Sequence, residues 1–197
     1  MNSQPLFIGL DLGTSGVKVG VIDAQGRRVA KAKACYRTES PRPGWVEQSP
    51  AEWWLASLTA IKEAVLQVDP IHIQGICVVG QSPALVCLDA QGEPVRPASI
   101  WSDQRALPEA EEVAQRLGPL APFGLLPRLL WLERNESINY HRTKWIFESF
   151  EYISFKLTHQ VASIIPAPQQ PPWSPKEIAS LGLMPNKFPS PPCLRLI

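Results

Sequence analysis

The chain has 197 residues, enough for one domain with a substantial buried core, or for one domain with a tail. Its formal net charge is +1 and charged residues make up 19%, so nothing in the charge indicates a nucleic-acid or membrane partner. The first residues lack a basic region followed by an unbroken apolar stretch, and no segment is long enough to span a bilayer. We therefore expect neither a signal peptide nor a transmembrane helix.

Three strand-like runs separated by glycine-containing turns open the chain and predict a β-meander. They comprise residues 6–12, 16–23 and 28–36. A helix follows, because Ser49 is suited to cap it, Pro50 fits its first position and Glu52 completes a capping box. Apolar residues at alternating spacings of four and three predict its buried stripe. These are Trp54, Leu58, Ile61, Val65 and Val68, and Asp69-Pro70 ends the helix.

Strands and helices then alternate. We expect a buried strand at 75–81 and a hairpin at 84–95 around Gln91-Gly92. A polar helix ends near Gly118, with Pro108 as an irregularity in its first turns. Two more helical patterns cover 127–136 and 148–158, with the short strand "KWIF" between them. This order predicts an α/β layer fold, in which helices cover a mixed sheet.

The end of the chain has a different composition. Nine of the 21 prolines lie within the last 32 residues, which predicts extended or irregular structure because proline removes backbone donors. We therefore divide the chain into residues 1–160 and a tail, 161–197. Within the tail, Ser174, Pro175 and Glu177 predict the start of a surface helix.

The four cysteines are scattered and form no C-x-x-C pair. Cys77 and Cys87 lie within apolar runs, which predicts buried, reduced thiols in a cytoplasmic protein.

The stretch "LDLGTSGVK" at residues 10–18 carries the first chemical signal. Its glycines favour a tight turn, and the amides and hydroxyls of Thr14 and Ser15 suit an anion. Lys18 adds a positive charge, and Asp11 is placed to hold Mg²⁺ through water beside a phosphate. The alternative is an ordinary hairpin with an exposed polar tip. The stretch matches neither G-x-x-x-x-G-K-[ST] nor G-x-G-x-x-G.

Further motifs appear in a fixed order: Asp11-Leu12-Gly13-Thr14-Ser15, Gly44-Trp45-Val46-Glu47-Gln48, Gly80-Gln81 and Trp101-x-Asp103-x-Arg105. With them the chain resembles the amino-terminal domain of the FGGY carbohydrate kinases, and most closely the xylulokinase-like branch. The resemblance runs from residue 6 to about 160, and more weakly to about 190.

The resemblance implies an actin-like ATPase, ribonuclease-H-like domain that binds sugar and closes on a second domain that holds ATP. The reaction would transfer the γ-phosphoryl of ATP to a sugar or polyol hydroxyl. By motif, Asp11 would organise Mg²⁺, and Thr14 and Ser15 would face the phosphates, beside Lys18. Substrate binding would fall to Gln81, Ser82, Pro83 and Trp101. Asp103 and Arg105 would lie beside them, in substrate contact or in a supporting ion pair.

Three of these substrate residues have a structural alternative. Trp101 would pack in the core, Asp103 would lie at a helix N-terminus, and Arg105 would pair only with Asp103. In addition, Ser82-Pro83 stand where xylulokinases carry Met-His or Gln-His. This makes another pentulose, a hexose or a polyol as suitable a substrate as xylulose, because a site with a missing hydrogen-bonding partner discriminates between polyols.

The family's catalytic base is an aspartate further downstream, whereas no aspartate follows Asp103 in this chain. We therefore expect the fold to be incomplete at its C-terminal end and assign no catalytic residue. Glu177 is not expected to substitute, because its pattern indicates a surface helix.

On this basis the chain alone is predicted to bind nucleotide weakly at most and not to phosphorylate sugar. Three hypotheses remain. The chain is a kinase polypeptide whose ATP-binding remainder is encoded separately or lost, a non-catalytic sugar-binding or regulatory module, or another actin-like ATPase.

Overall fold

The computed structural model describes residues 4–119, 124–163 and 173–189. The strands are β1 Leu6–Leu12, β2 Gly16–Asp23, β3 Arg28–Cys35, β4 Glu47–Gln48, β5 Ile73–Gly80, β6 Val86–Leu88, β7 Ala98–Ser99 and β8 Trp145–Phe147. The helices are α1 Pro50–Val65, α2 Leu107–Leu117, α3 Leu126–Asn135, α4 Ser137–Arg142, α5 Ser149–Thr158 and α6 Pro175–Ser180. No described helix combines the length and the apolarity that a membrane span requires.

The main sheet has four strands in the order β3-β2-β1-β5. The β1–β2 and β2–β3 pairs are antiparallel, which confirms the predicted meander, and β5 pairs with β1 in parallel. Side chains alternate along each strand, which places Ile8, Leu10 and Leu12 on the buried face of β1. Asp11 lies on the opposite face, which the described residues leave open.

The cap of α1 is confirmed, since Ser49 Oγ accepts a hydrogen bond from Glu52 N at 3.4 Å. The buried residues of α1, however, are not those of the predicted stripe, which lie beside them. The buried residues are Pro50, Trp53, Ala56, Ser57, Ala60 and Ala64. These are mostly small side chains, because α1 packs directly on β2 and β3 and the bulkier residues must lie beside the contact.

The prediction of a buried strand near 75–81 is wrong in one respect: β5 is an edge strand with a half-open face. Val79 is 54% exposed, and Cys77 is exposed, whereas Cys87 is buried as expected. Apolar, β-branched runs are typical of parallel strands covered on both faces. In the described part of the chain, β5 pairs only with β1. The apolar sequence of β5 therefore predicts more burial than the structure shows.

The later elements agree with the sequence pattern to within a few residues. The turn at Gln91-Gly92 is present, with a positive φ of 82° at Gly92, although β6 pairs as a ladder with β8. Pro108 occupies the second position of α2 and so fits the helix, contrary to the expected irregularity.

The described part of the tail is more regular than its proline content predicts. Ser174 and Glu177 form a reciprocal capping box at the start of α6, as the sequence indicates. Ile178 and Leu183 are buried in a second hydrophobic cluster, together with residues of α3. Residues 164–172 and 190–197 lie outside the described residues, and the boundary near residue 160 stays a prediction.

Candidate functional site

The turn between β1 and β2 is held by a hydrogen bond from Gly13 N to Gly16 O at 3.0 Å. Neither glycine adopts a positive φ. Gly16 is required for another reason: a Cβ there would lie 2.5 Å from the carbonyl oxygen of Ala34 in β3. The close approach at Gly16 is therefore to the neighbouring strand.

Gln48 connects this turn to the rest of the site. It is 1% exposed, and its Nε2 donates to the Thr14 carbonyl at 2.7 Å and to Thr38 Oγ1 at 2.6 Å. Its Oε1 accepts from Trp53 Nε1 at 2.9 Å and from Gln81 Nε2 at 2.7 Å. One buried amide thus fixes the turn relative to the loop that begins at Gln81. Sequence reasoning did not assign Gln48 to the site, although it lies in the Gly44–Gln48 motif.

Trp101 makes a second connection. Its Nε1 donates to Thr14 Oγ1 at 3.2 Å, and the residue is 53% exposed, which excludes a place in the core. Together with Ser82 and Pro83, Trp101 lines a cavity of about 1410 Å³. This cavity exceeds the range of about 300–1,000 Å³ that is usual for small-molecule sites. The structure therefore brings the predicted substrate loop, the tryptophan and the turn together.

The substrate loop is anchored at its start. Gln81 N donates to the Leu12 carbonyl at 2.8 Å, and the Gln81 carbonyl accepts from Ser149 Oγ at 2.6 Å. The side-chain Oε1 of Gln81 is buried and has no hydrogen-bond partner among the described residues. Since buried acceptors are normally paired, this oxygen is available to a ligand hydroxyl or a water molecule.

Glu148, which sequence reasoning also missed, lies on the wall of the same cavity. Its Oε2 accepts from Ala84 N at 2.8 Å and its Oε1 from Ser82 Oγ at 3.2 Å. Burial raises the pKa of Glu148 from 4.5 to about 7, against the opposing effects of the Ala84 and Ser82 hydrogen bonds. No local motif signals this residue, because its partners are 64 and 66 residues away.

Asp103 and Arg105 form a buried ion pair. Their side chains are 0% and 2% exposed, with Arg105 Nη2 at 2.6 Å from Asp103 Oδ2. Asp103 Oδ2 also accepts from Val46 N at 2.6 Å, and Arg105 Nη1 lies 2.8 Å from Glu47 Oε1. Burial alone lowers the pKa of Arg105, but the hydrogen bonds to Asp103 and Glu47 outweigh it and raise the pKa. The supporting ion pair is therefore present, whereas Asp103 also lines the cavity, and substrate contact by these two residues stays a prediction.

Two tryptophans and a second arginine complete this support. The Arg105 guanidinium lies 3.8 Å from the ring centroid of Trp45, and Trp131 meets Trp45 edge-on. Arg128, also buried, donates to the carbonyls of Ile100 and Trp101 at 3.3 and 3.2 Å. The backbone of the cavity wall that carries Trp101 is therefore fixed by hydrogen bonds from Arg128.

Asp11 and Lys18 lie elsewhere. They are cross-strand neighbours on the open face of the sheet, both exposed, in a separate depression of about 840 Å³. Lys31 and Lys33 of β3 line the same depression. The structure thus does not bring these two residues into the cavity with Trp101. Thr14 and Ser15, which are exposed at the turn, lie between the two regions.

The fit of Mg²⁺ rests on Asp11 alone. In the described ranges no group of three or more His, Cys, Asp or Glu residues is placed to enclose a metal ion. Mg²⁺ commonly uses one or two carboxylates and keeps several waters while phosphate oxygens supply the rest. An exposed carboxylate such as Asp11 fits that arrangement, in which nucleotide phosphates would complete the ligand set.

Comparison with known proteins identifies the family of this chain. Residues 6–165 match the sequence model of the FGGY family of carbohydrate kinases, N-terminal domain. The chain belongs to this family. It is 31% identical to xylulose kinase of Klebsiella pneumoniae and 34% identical to xylulose kinase of Staphylococcus xylosus, over 80% and 78% of this chain and 34% of each relative.

The structural comparison agrees. The crystal structure of a xyloylose kinase from Brucella ovis superposes with a TM-score of 0.84 and 31% identity, over 95% of this chain and 42% of that one. The expected actin-like ATPase fold of FGGY kinases is thereby confirmed, and an unrelated actin-like ATPase is excluded. The chain spans about a third of the length of the curated relatives it matches.

Proposed function

We propose that this chain is the sugar-binding part of an ATP-dependent carbohydrate kinase that phosphorylates a sugar or polyol hydroxyl. The observation that carries the proposal is the hydrogen bond from Trp101 Nε1 to Thr14 Oγ1. It joins the wall of the cavity to the turn whose amides and hydroxyls suit a phosphate. A hydroxyl bound in the cavity and a phosphoryl group at the turn are then close neighbours, as phosphoryl transfer requires.

In this proposal each region has one task. The cavity residues Ser82, Pro83 and Trp101 bind and orient the sugar, together with Gln81 at the start of the substrate loop. Thr14, Ser15 and Lys18 neutralise and position the phosphates, and Asp11 holds Mg²⁺ through water. Bound ATP and Mg²⁺ supply the transferable γ-phosphoryl group and the charge neutralisation that its transfer needs.

We infer that the 197-residue chain does not catalyse the transfer by itself. Three carboxylates line the cavity in the described residues, and all three are engaged. Asp103 pairs with Arg105, and Glu151 accepts from Glu148 N and Ser163 Oγ. Glu148 accepts from Ser82 Oγ and Ala84 N. No aspartate follows Asp103 in the sequence. In this proposal an ATP-binding domain outside these 197 residues supplies the base and the adenosine site.

The sugar itself is a finer proposal. The relatives named above are xylulose kinases, which makes D-xylulose the first probe. Ser82 and Pro83 offer one hydroxyl and no imidazole, so we expect other pentuloses, hexoses or polyols to compete with it. A cytoplasmic location is a further proposal, supported by the thiols of Cys35, Cys77 and Cys87, which are free in this structure.

The test has two arms. Isothermal calorimetry of the chain with D-xylulose, D-ribulose and xylitol should give binding without ATP, and the chain with ATP, Mg²⁺ and the same sugars should release no ADP. ADP release on adding a chain that carries the ATP-binding part would support the kinase. Binding without ADP release in that mixture would instead favour the alternative function, a non-catalytic sugar-binding or regulatory module, which the cavity within this chain also allows.

A further inference from the structure

Glu148 has two roles in the structure. It caps α5 in a reciprocal contact, since its side chain accepts from Glu151 N while Glu148 N donates to Glu151 Oε2 at 2.8 Å. The Glu148 carboxylate also reaches across to the substrate loop, where it accepts from Ser82 Oγ and Ala84 N. It therefore brackets Pro83, and all three residues Ser82, Pro83 and Glu148 border the cavity.

The groups around this carboxylate favour its role as an acceptor. The loop contributes only a hydroxyl and an amide, both of which donate to it. Arg128 on α3 stabilises the ionised form, whereas Glu151 on its own helix opposes ionisation. The Ser82 hydroxyl distance of 3.2 Å is long for an O–H···O bond, so this contact is easily exchanged for a ligand hydroxyl.

We propose that the ionised Glu148 carboxylate binds a hydroxyl of the sugar and, with Ser82, determines which polyhydroxylated substrate the cavity accepts. This inference rests on the proposed function and extends it to a residue outside the predicted substrate set. An ionised carboxylate offers only acceptors, so this part of the cavity favours substrates whose hydroxyls can donate to it.

The pH dependence follows from the same geometry. Since burial places the pKa of Glu148 at about 7, the ionised fraction rises steeply between about pH 6 and pH 8. If only the carboxylate binds the sugar, affinity should be about tenfold weaker at pH 6 than at pH 8.

The experiment is calorimetry of the full chain with D-xylulose, D-ribulose and xylitol at pH 6, 7 and 8. Wild type and two variants are compared: Glu148→Gln, which retains an acceptor oxygen for Ala84 N, and Glu111→Gln, an exposed control. We expect wild type and Glu111→Gln to bind about tenfold more tightly at pH 8 than at pH 6, and Glu148→Gln to bind weakly with a flat profile. Thermal melts at each pH confirm that all three chains are folded.

Two outcomes separate this inference from the function it rests on. Binding with the same pH profile in wild type and Glu148→Gln would overturn the role of Glu148 while leaving sugar binding intact. No binding of any sugar by wild type at any pH would overturn the proposed sugar-binding function, and the role of Glu148 with it.

Discussion

The two regions beside the β1–β2 turn differ in how their polar groups are held. On the cavity side, Thr14, Gln48, Gln81 and Trp101 are linked by hydrogen bonds of 2.7–3.2 Å. On the open face of the sheet, Asp11 and Lys18 are exposed, and neither side chain has a hydrogen bond or ion pair within the described ranges. The cavity side is thus preorganised, whereas the open face presents two charges that no described side chain holds in place. Substitutions should therefore affect the cavity side strongly and the open face weakly.

The largest effect is expected at Arg105. Arg105→Met removes the only guanidinium that pairs with Asp103 inside the described structure and leaves that carboxylate buried without an ion-pair partner. The free energy of unfolding should fall by about 3–5 kcal/mol, as measured by urea denaturation. Arg37→Met, at an exposed arginine, should change it by less than about 0.5 kcal/mol. A similarly small change for Arg105→Met would show that the ion pair does not support the cavity.

Gln48 should come next. In Gln48→Met, Trp53 Nε1 and Gln81 Nε2 lose their acceptor and the Thr14 carbonyl loses its donor. Because these groups are buried or half-buried, the free energy of unfolding should fall by about 2–3 kcal/mol. The exposed Gln25→Met serves as the control in the same urea titration. Equal stability of the two variants would contradict the central role of Gln48.

The pH dependence of stability follows from Glu148. Its folded-state pKa of about 7 lies above the ordinary 4.5, so the unfolded chain loses this proton first as pH rises. Stability from this group is complete below about pH 4.5, is lost progressively up to about pH 7, and levels off above it. The loss should be on the order of 1–2 kcal/mol after allowance for the partial exposure of the residue.

Glu148→Gln should remove that slope and make the chain more stable than wild type at pH 8. Urea denaturation at pH 5, 6, 7 and 8 measures the effect. Identical slopes in both chains would mean that Glu148 does not titrate in this range.

Trp101 should matter for binding more than for stability. It is half-exposed, so Trp101→Ala should change the free energy of unfolding by less than about 1 kcal/mol. Loss of the cavity wall should weaken sugar binding by about tenfold, or roughly 1.4 kcal/mol. Trp101→Phe keeps an aromatic ring but loses the hydrogen bond to Thr14. An affinity between those of wild type and Trp101→Ala in calorimetry would separate the contribution of the ring from that of the hydrogen bond.

The sequence predicted the framework well where the pattern was local. The N-cap at Ser49 and the capping box at Ser174 were recognisable because each involves residues three positions apart. The meander followed from period-two alternation and its turns. The buried face of α1 was wrong by one position, because small residues chosen for close packing on a sheet carry little hydrophobic signal.

The site was predictable only in part, for the same physical reason. The resemblance indicated Gln81, Ser82 and Trp101, which the fold brings together. Gln48 and Glu148 were missed because their importance arises from partners more than 30 residues away. The exposure of β5 could not be predicted either, since its apolar sequence is typical of a strand with both faces covered.

The central claim is that the sugar site is complete on the cavity side and independent of the open face. Calorimetry with D-xylulose, D-ribulose and xylitol, without nucleotide, tests it most directly in wild type, Asp11→Asn and Trp101→Ala. We predict equal affinity for wild type and Asp11→Asn, and about tenfold weaker binding for Trp101→Ala. Loss of affinity in Asp11→Asn as large as that in Trp101→Ala, or no binding of any sugar by wild type, would contradict the account.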